Sequence, residues 1–161
     1  MTTIVLTPSE IQMASFVGCQ RATENIKNGD IWSRSGEPPQ ELFLRMVNGA
    51  MAEAALAKHL NKFWAKGVKG AADVGEVDVR CSHYEDGHLE MHEWDKDDRK
   101  YYFLTGMLGT YKVRGWIMGK DAKKPEYWRV IKQGRKPQFW IPQNHLNDNI
   151  YEEKEKDWLD D

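Results

Sequence analysis

Cysteine is scarce in this chain of 161 residues. Cys19 and Cys81 stand alone, without paired spacing. That excludes a disulfide framework and leads us to expect a reduced, cytoplasmic protein. Long apolar runs are also missing. No stretch reaches the roughly 18 residues of a membrane span, so no membrane partner is expected. Residues 1–9 lack a basic region followed by an apolar one, so no signal peptide is predicted. There is no internal repeat and no linker that divides the chain. Residues 1–146 are therefore expected to form one domain, followed by an acidic tail at 147–161.

Net charge is nearly absent, at −2, but its distribution is uneven. Residues 99–136 carry eleven Lys and Arg against Asp121 and Glu126, a local charge of +9. Residues 147–161 carry seven Asp and Glu against Lys154 and Lys156, a local charge of −5. A basic stretch in a near-neutral chain fits a polyanionic partner. A solvated face beside an acidic tail fits composition equally well. Oligomeric state has no signature here.

Two helices open the chain. Thr7-Pro8-Ser9-Glu10 has the form of a capping box with Pro at the first helical position. The helix should run to about Ile26, with Ile11, Ala14, Val17, Gly18 and Ala22 inward. Arg21 falls one turn beyond Val17, at the edge of that face, and reads as a surface arginine. Residues 29–39 read as a loop from which Trp32 and Arg34 could reach a ligand. A second helix is expected from about Gln40 to Lys62. Its apolar stripe, Leu42, Met46, Gly49, Leu56 and Leu60, contains Glu53. A buried carboxylate is costly unless it is paired or bound to metal. The helix pattern by itself favours pairing with a buried arginine or a capping role.

The second half reads as strands: 77–81, 89–94, 101–105, 110–118 and 139–141. Residues 121–128 form a short helix or an irregular excursion. The fold class is α+β, two N-terminal helices packed on a mixed, largely antiparallel sheet.

Residues 73–80, Asp-Val-Gly-Glu-Val-Asp-Val-Arg, carry the most specific pattern. Val77, Val79 and Cys81 alternate with Glu76, Asp78 and Arg80, the two-residue period of a half-buried strand. Gly75-Glu76 suits a two-residue hairpin turn with glycine first. Asp73 then lies opposite Asp78 on one sheet face, with Arg80 two residues on. Two like charges so placed are destabilising unless something positive joins them, and a divalent cation would do so.

A helix glutamate followed by two acids and a cation on one sheet face resembles the PD-(D/E)XK nuclease superfamily. The segment Gly49-Ala-Met-Ala-Glu53-Ala-Ala-Leu-Ala-Lys58 is similar to the Glu helix of its small phage-type members. Blocks at 104–106 and 115–123 look like segments of small phage and bacterial proteins of this architecture. The resemblance covers about residues 40–81. It implies a restriction-endonuclease-like core and a Mg²⁺- or Mn²⁺-dependent nuclease. DNA is its expected substrate, in the cytoplasm, or in the host's if the protein is phage-encoded.

Carried onto this chain, Asp73, Asp78, Glu53 and the Val79 carbonyl would hold the metal. Arg80 would grip the scissile phosphate. Lys112, Arg114, Lys120, Lys123 and Lys124 would contact the nucleic-acid backbone. Two features depart from the superfamily. Arg80 stands where lysine is usual and cannot act as a base, and the two acids are only five residues apart.

Other assignments compete. In a second register Asp78 is the first acid and Glu90-Met91-His92 the second motif, with His92 a poor substitute for lysine. Cys81, His83, His88 and His92 match no standard zinc spacing. Trp116, Trp128 and Trp140 read as core or rim aromatics rather than base-stacking platforms. A catalytically inactive nucleic-acid-binding domain is one alternative function, and a structural or interaction protein is another.

Overall fold

A computed structural model describes residues 2–32, 36–66 and 71–149. The fold is α+β. In chain order it contains β1 (Thr2–Val5), α1 (Pro8–Lys27), α2 (Pro39–Leu60), β2 (Val77–Ser82), β3 (Leu89–Met91), β4 (Lys100–Met107) and β5 (Thr110–Met118). After these come α3 (Gly119–Ala122), β6 (Trp128–Arg129) and β7 (Gln138–Ile141). Short 3-10 turns occupy Pro125–Tyr127 and Gln143–His145. The acidic tail from residue 150 onward, and Arg34 of the first long loop, lie outside the described residues.

The capping box forms as the sequence predicts. Glu10 N donates to Thr7 Oγ1 at 3.3 Å, and Thr7 N donates to Glu10 Oε2 at 2.7 Å. Lys58 ties the far end of α2 to this start, bonding Glu10 Oε2 at 2.8 Å and the Val5 carbonyl at 3.0 Å. Gly18 lets the two helices approach closely. A Cβ there would meet Val47 Cα at 2.6 Å. Every residue of α2 from Ala50 to Ala57 is buried. A helix buried on all sides lies between other layers, and the small alanines make room for them.

The four-stranded sheet has the order β1-β5-β4-β2. β1–β5 and β5–β4 pair antiparallel, whereas β2 and β4 pair parallel. The second sheet, β3-β7-β6, is antiparallel. Period-two alternation divides the side chains between two cores. Val77, Val79, Tyr102, Leu104 and Tyr111 pack with α2 and α1. Tyr101, Phe103 and Ile117 pack with Leu89, Met91 and Ile141 of the small sheet. The four-stranded sheet is thus covered on both faces, so Tyr101–Thr105 of β4 is a continuous buried run.

β1 and β6 are absent from the sequence expectation. At four and two residues they are too short to carry a period. The strand expected over 89–94 ends at Met91. Residues 119–127 resolve into α3 and a 3-10 turn.

Candidate functional site

The predicted turn forms at Gly75. Val74 and Val77 exchange backbone hydrogen bonds at 3.0 and 2.9 Å, and Gly75 has φ +54°. Positive φ at the first central residue is the glycine-first hairpin turn. Residues before the hairpin brace it from outside. Ala65 N donates to the Asp73 carbonyl at 3.0 Å, and Gly75 N to the Phe63 carbonyl at 2.8 Å.

The turn brings the two aspartates together. Asp73 N donates to Asp78 Oδ1 at 3.1 Å, and Val79 N donates to Asp73 Oδ2 at 2.8 Å. Arg99, just before β4, reaches Asp78 Oδ1 with Nη1 at 2.9 Å. Asp73 Oδ1 and Asp78 Oδ2 take no hydrogen bond among the described residues. β2 is the last strand of the four-stranded sheet, but residues 73–75 and then 63–65 pair alongside its start, so both aspartates are half-buried.

Glu53 approaches from α2. Arg21, half-buried, is the partner that its helix position calls for. The two make a bidentate pair, Nη1–Oε1 at 2.8 Å and Nη2–Oε2 at 2.7 Å. Trp64 Nε1 adds a bond to Oε2 at 2.9 Å. Arg21 is therefore not a free surface arginine. Its place at the edge of α1's buried face, opposite a buried carboxylate, was the available signal. Glu53 contributes charge to this region, but both its oxygens are engaged.

The electrostatics place the three carboxylates in one neighbourhood. Burial pushes Asp73 up, Glu53 pushes it further, and Asp78 adds to this. The Val79 amide and Arg80 pull the other way, and the result is a carboxyl raised to about 7. The largest cause is the removal of Asp73 from water, with its acidic neighbours second.

Arg80 turns toward Asp95 instead of the aspartate pair. Its Nη2 bonds Asp95 Oδ1 at 2.9 Å, and its guanidinium lies 4.9 Å from the Tyr101 ring centroid. Its Nη1 reaches the Val79 carbonyl at 3.3 Å. Asp95 also accepts the His92 amide at 2.8 Å. Burial would raise Asp95, but His92 and Arg80 outweigh it and hold the carboxyl at about 2. Asp95 and Arg99 fall in a highly charged turn, and nothing in the sequence separates them from its solvated neighbours. Glu90 is on β3 opposite Trp140, in the other sheet from Asp78, so the second acid register does not pair neighbouring strands.

Of the predicted backbone contacts, Lys112 and Arg114 both pair with Glu85 at 2.7 Å. Lys123 bonds Asp97 at 2.7 Å and the carbonyls of Glu93 and Asp95. Lys120 and Lys124 are exposed. Burial pushes the Cys81 thiol up to about 12, which leaves it unreactive.

Among the described residues, no group of three or more His, Cys, Asp or Glu side chains stands ready to hold a metal ion. Mg²⁺ commonly takes only one or two carboxylates and fills its shell with water and substrate phosphate. The Asp73–Asp78 pair matches that oxygen donor set. Glu53 does not, because Arg21 and Trp64 occupy it. The Val79 carbonyl already accepts from Arg80.

Compared with known proteins, the chain matches no family model, no curated protein and no solved structure. No helix among the described residues is long and apolar enough to cross a membrane.

Proposed function

We propose that the protein is a divalent-metal-dependent nuclease, with DNA as its substrate and a restriction-endonuclease-like core. The observation that carries this reading is the Asp73–Asp78 pair. Two carboxylates face each other across a tight hairpin at the start of β2, each with an oxygen free of hydrogen bonds among the described residues. A third carboxylate, Glu53, is close enough to raise Asp73. Such an arrangement gains stability from a bound cation. Mg²⁺ or Mn²⁺ held by Asp73 and Asp78 would supply Lewis acidity toward a phosphodiester and a water that is acidic near neutral pH.

The chain's own residues have separate tasks in this reading. Glu53, fixed by Arg21 and Trp64, stands close enough to raise Asp73 but is not itself a ligand. Arg99 holds Asp78 in place. Arg80, braced by Asp95, contributes fixed positive charge beside Asp73 and does not act as a base. Lys120 and Lys124 are the exposed ones among the five predicted backbone contacts and make phosphate contacts.

One observation favours a second reading, a catalytically inactive nucleic-acid-binding domain. Arg21 and Arg99 already pair with Glu53 and Asp78, so two of the three charges are neutralised without a metal. One experiment separates the two readings. Plasmid and linear DNA are incubated with the protein in Mg²⁺, in Mn²⁺ and in chelator. Cleavage that needs metal and disappears in Asp78→Asn, with DNA binding retained, supports the nuclease. Salt-sensitive binding with no cleavage in either metal supports the silent domain. No salt-sensitive binding at all leaves a structural or interaction protein.

A further inference from the structure

The hairpin that joins β6 to β7 gathers positive charge and apolar side chains at the molecular surface. Between Glu126 and Asp148 the chain has no Asp or Glu but carries Arg129, Lys132, Arg135 and Lys136. β6 is the outer strand of the small sheet, and its pairing with β7 covers only Trp128↔Phe139 and Arg129↔Gln138. Pro137, which has no N–H to donate, sits where the next pair would form. Residues 130–137 therefore extend past the ladder. They turn at Gly134, with φ +82°, and Arg135 N closes the turn on the Lys132 carbonyl at 3.0 Å. A positive φ at the third residue of such a turn suits glycine. A Cβ on Gly134 would meet nothing within 4 Å, so the tip is open on that side.

The side chains of the tip divide into an anchor and a free surface. Arg135 is the anchor. Its side chain is 19% exposed, with Nη2 2.7 Å from Glu41 Oε2 and Nη1 4.0 Å from Glu37 Oε1, at the start of α2. Lys132 lies 4.0 Å from Glu41 but remains 65% exposed. Arg129 and Lys136, one on each limb, are exposed and make no ion pair among the described residues. Val130 is 64% exposed and Ile131 38%. Single exposed apolar residues are ordinary. Here two adjacent ones stand among Arg129, Lys132 and Lys136 on a loop whose position is already fixed by Arg135. A tip held in place costs less to order when a partner binds.

We infer that this hairpin is an arm that enters a groove of double-stranded DNA. The choice of DNA among polyanions rests on the nuclease reading. Arg129, Lys132 and Lys136 meet phosphates along the groove. Val130 and Ile131 lie against apolar base edges such as thymine methyl groups. The major groove is about 12 Å wide and admits a two-stranded ribbon. Single strands are instead held by aromatic side chains on which bases stack. From 129 to 137 the arm has no aromatic residue, and Trp128 at its base packs on Phe139, ring centroids 4.8 Å apart. The arm therefore favours duplex over single strand. Along α2, Glu41 at the anchor and Glu53 near Asp73 are about 18 Å apart. About five base-pair steps cover that distance, so one duplex is long enough to reach both.

The test is a binding measurement in chelator, so that cleavage plays no part. Fluorescence anisotropy is recorded at several salt concentrations for a labelled blunt DNA duplex and for one of its strands alone. Two double variants, Arg129→Gln with Lys136→Gln and Val130→Ser with Ile131→Ser, alter exposed residues and spare the core. The parent should bind the duplex more tightly than the strand. The charge variant should make the fall of log K with log salt shallower by about two in slope. The apolar variant should weaken duplex binding several-fold with its slope unchanged, and both variants should change strand binding less. An unchanged slope in the charge variant overturns the inference. So do equal losses for duplex and strand, or no DNA binding by the parent at low salt. An apolar variant that binds DNA like the parent but loses co-sedimentation with phosphatidylserine vesicles also overturns it, making the hairpin a membrane contact. Metal-dependent cleavage by arm variants that bind like the parent leaves the nuclease reading standing without the arm. Arm-dependent duplex binding with no cleavage in Mg²⁺ or Mn²⁺ removes the nuclease reading and leaves the arm.

Discussion

Glu53 is the residue whose environment has the clearest energetic consequence. Its side chain is 9% exposed and that of Arg21 22%. Breaking a buried pair by removing one partner leaves the other charge uncompensated, typically at a cost of about 3–5 kcal/mol. Glu53→Gln should therefore lower the urea midpoint by an amount equivalent to about 3 kcal/mol, with an unchanged m-value. Changing both residues, Arg21→Met with Glu53→Gln, should cost less than the single change. An additive pair of losses would mean that the two side chains act independently.

Asp73 makes a pH prediction. Its unfolded pKa is about 3.9, and its folded value is raised to about 7. The folded state therefore holds the proton more tightly. The stabilising contribution is complete below about 3.9 and is lost as pH rises through about 7. Glu53, Asp78, Arg80 and Arg21 are the charged groups that set this balance. In chelator, Asp73→Asn should gain thermal stability relative to the parent as pH rises from about 5 to about 8. Added Mg²⁺ should raise the parent's Tm at the upper end of that range and leave that of the variant nearly unchanged. A parent-minus-variant difference that is flat with pH would contradict the raised carboxyl.

At the scale of elements, the hairpin at Gly75 determines whether the aspartates meet. A side chain there is disfavoured by the backbone, because φ is +54°. The added Cβ would meet only the flexible side chain of Lys62, at 2.9 Å, so crowding is secondary. Gly75→Ala should cost at least about 1 kcal/mol. It should also weaken the Mg²⁺-dependent rise in Tm beyond what the lost stability explains, because Asp73 moves relative to Asp78. If the metal response is intact, the turn is not what aligns the two acids. Thr7→Ala serves as the control, expected to cost about 1 kcal/mol through the lost cap with no effect on the metal response.

The sequence made both of these elements legible for the same reason. A capping box and a two-residue turn are local devices, specified by residues within four positions of each other. The Arg21–Glu53 pairing was only half legible. The position of Glu53 in the stripe calls for a partner, but Arg21 is 32 positions away. Pairing at that range depends on how α1 packs on α2, and Gly18 controls that packing.

For the whole molecule, the predicted phosphate contacts divide into engaged and exposed residues. Lys112 and Arg114 are committed to Glu85, whereas Lys120 and Lys124 are exposed. If nucleic acid binds, charge removal at Lys120 and Lys124 should make log K fall less steeply with log salt, by about one in slope for each phosphate no longer neutralised. Lys112→Gln should change that slope less, because Glu85 already screens the cation. Titrations at several salt concentrations would distinguish them. Equal slopes for all variants would mean that none of these lysines meets a phosphate.

The sequence by itself determined the α+β class, the two opening helices with the cap of the first, the turn at Gly75 and the opposition of Asp73 and Asp78. Each follows from periodicity or turn chemistry over a few neighbouring residues. Tertiary structure alone decided the parallel pairing of β2 with β4, the capture of Glu53 by Arg21 and Trp64, and the turn of Arg80 toward Asp95. It also decided which lysines face outward. These depend on contacts between residues far apart in sequence, where several partners of the right charge compete. Packing of the two helices and two sheets selects among them.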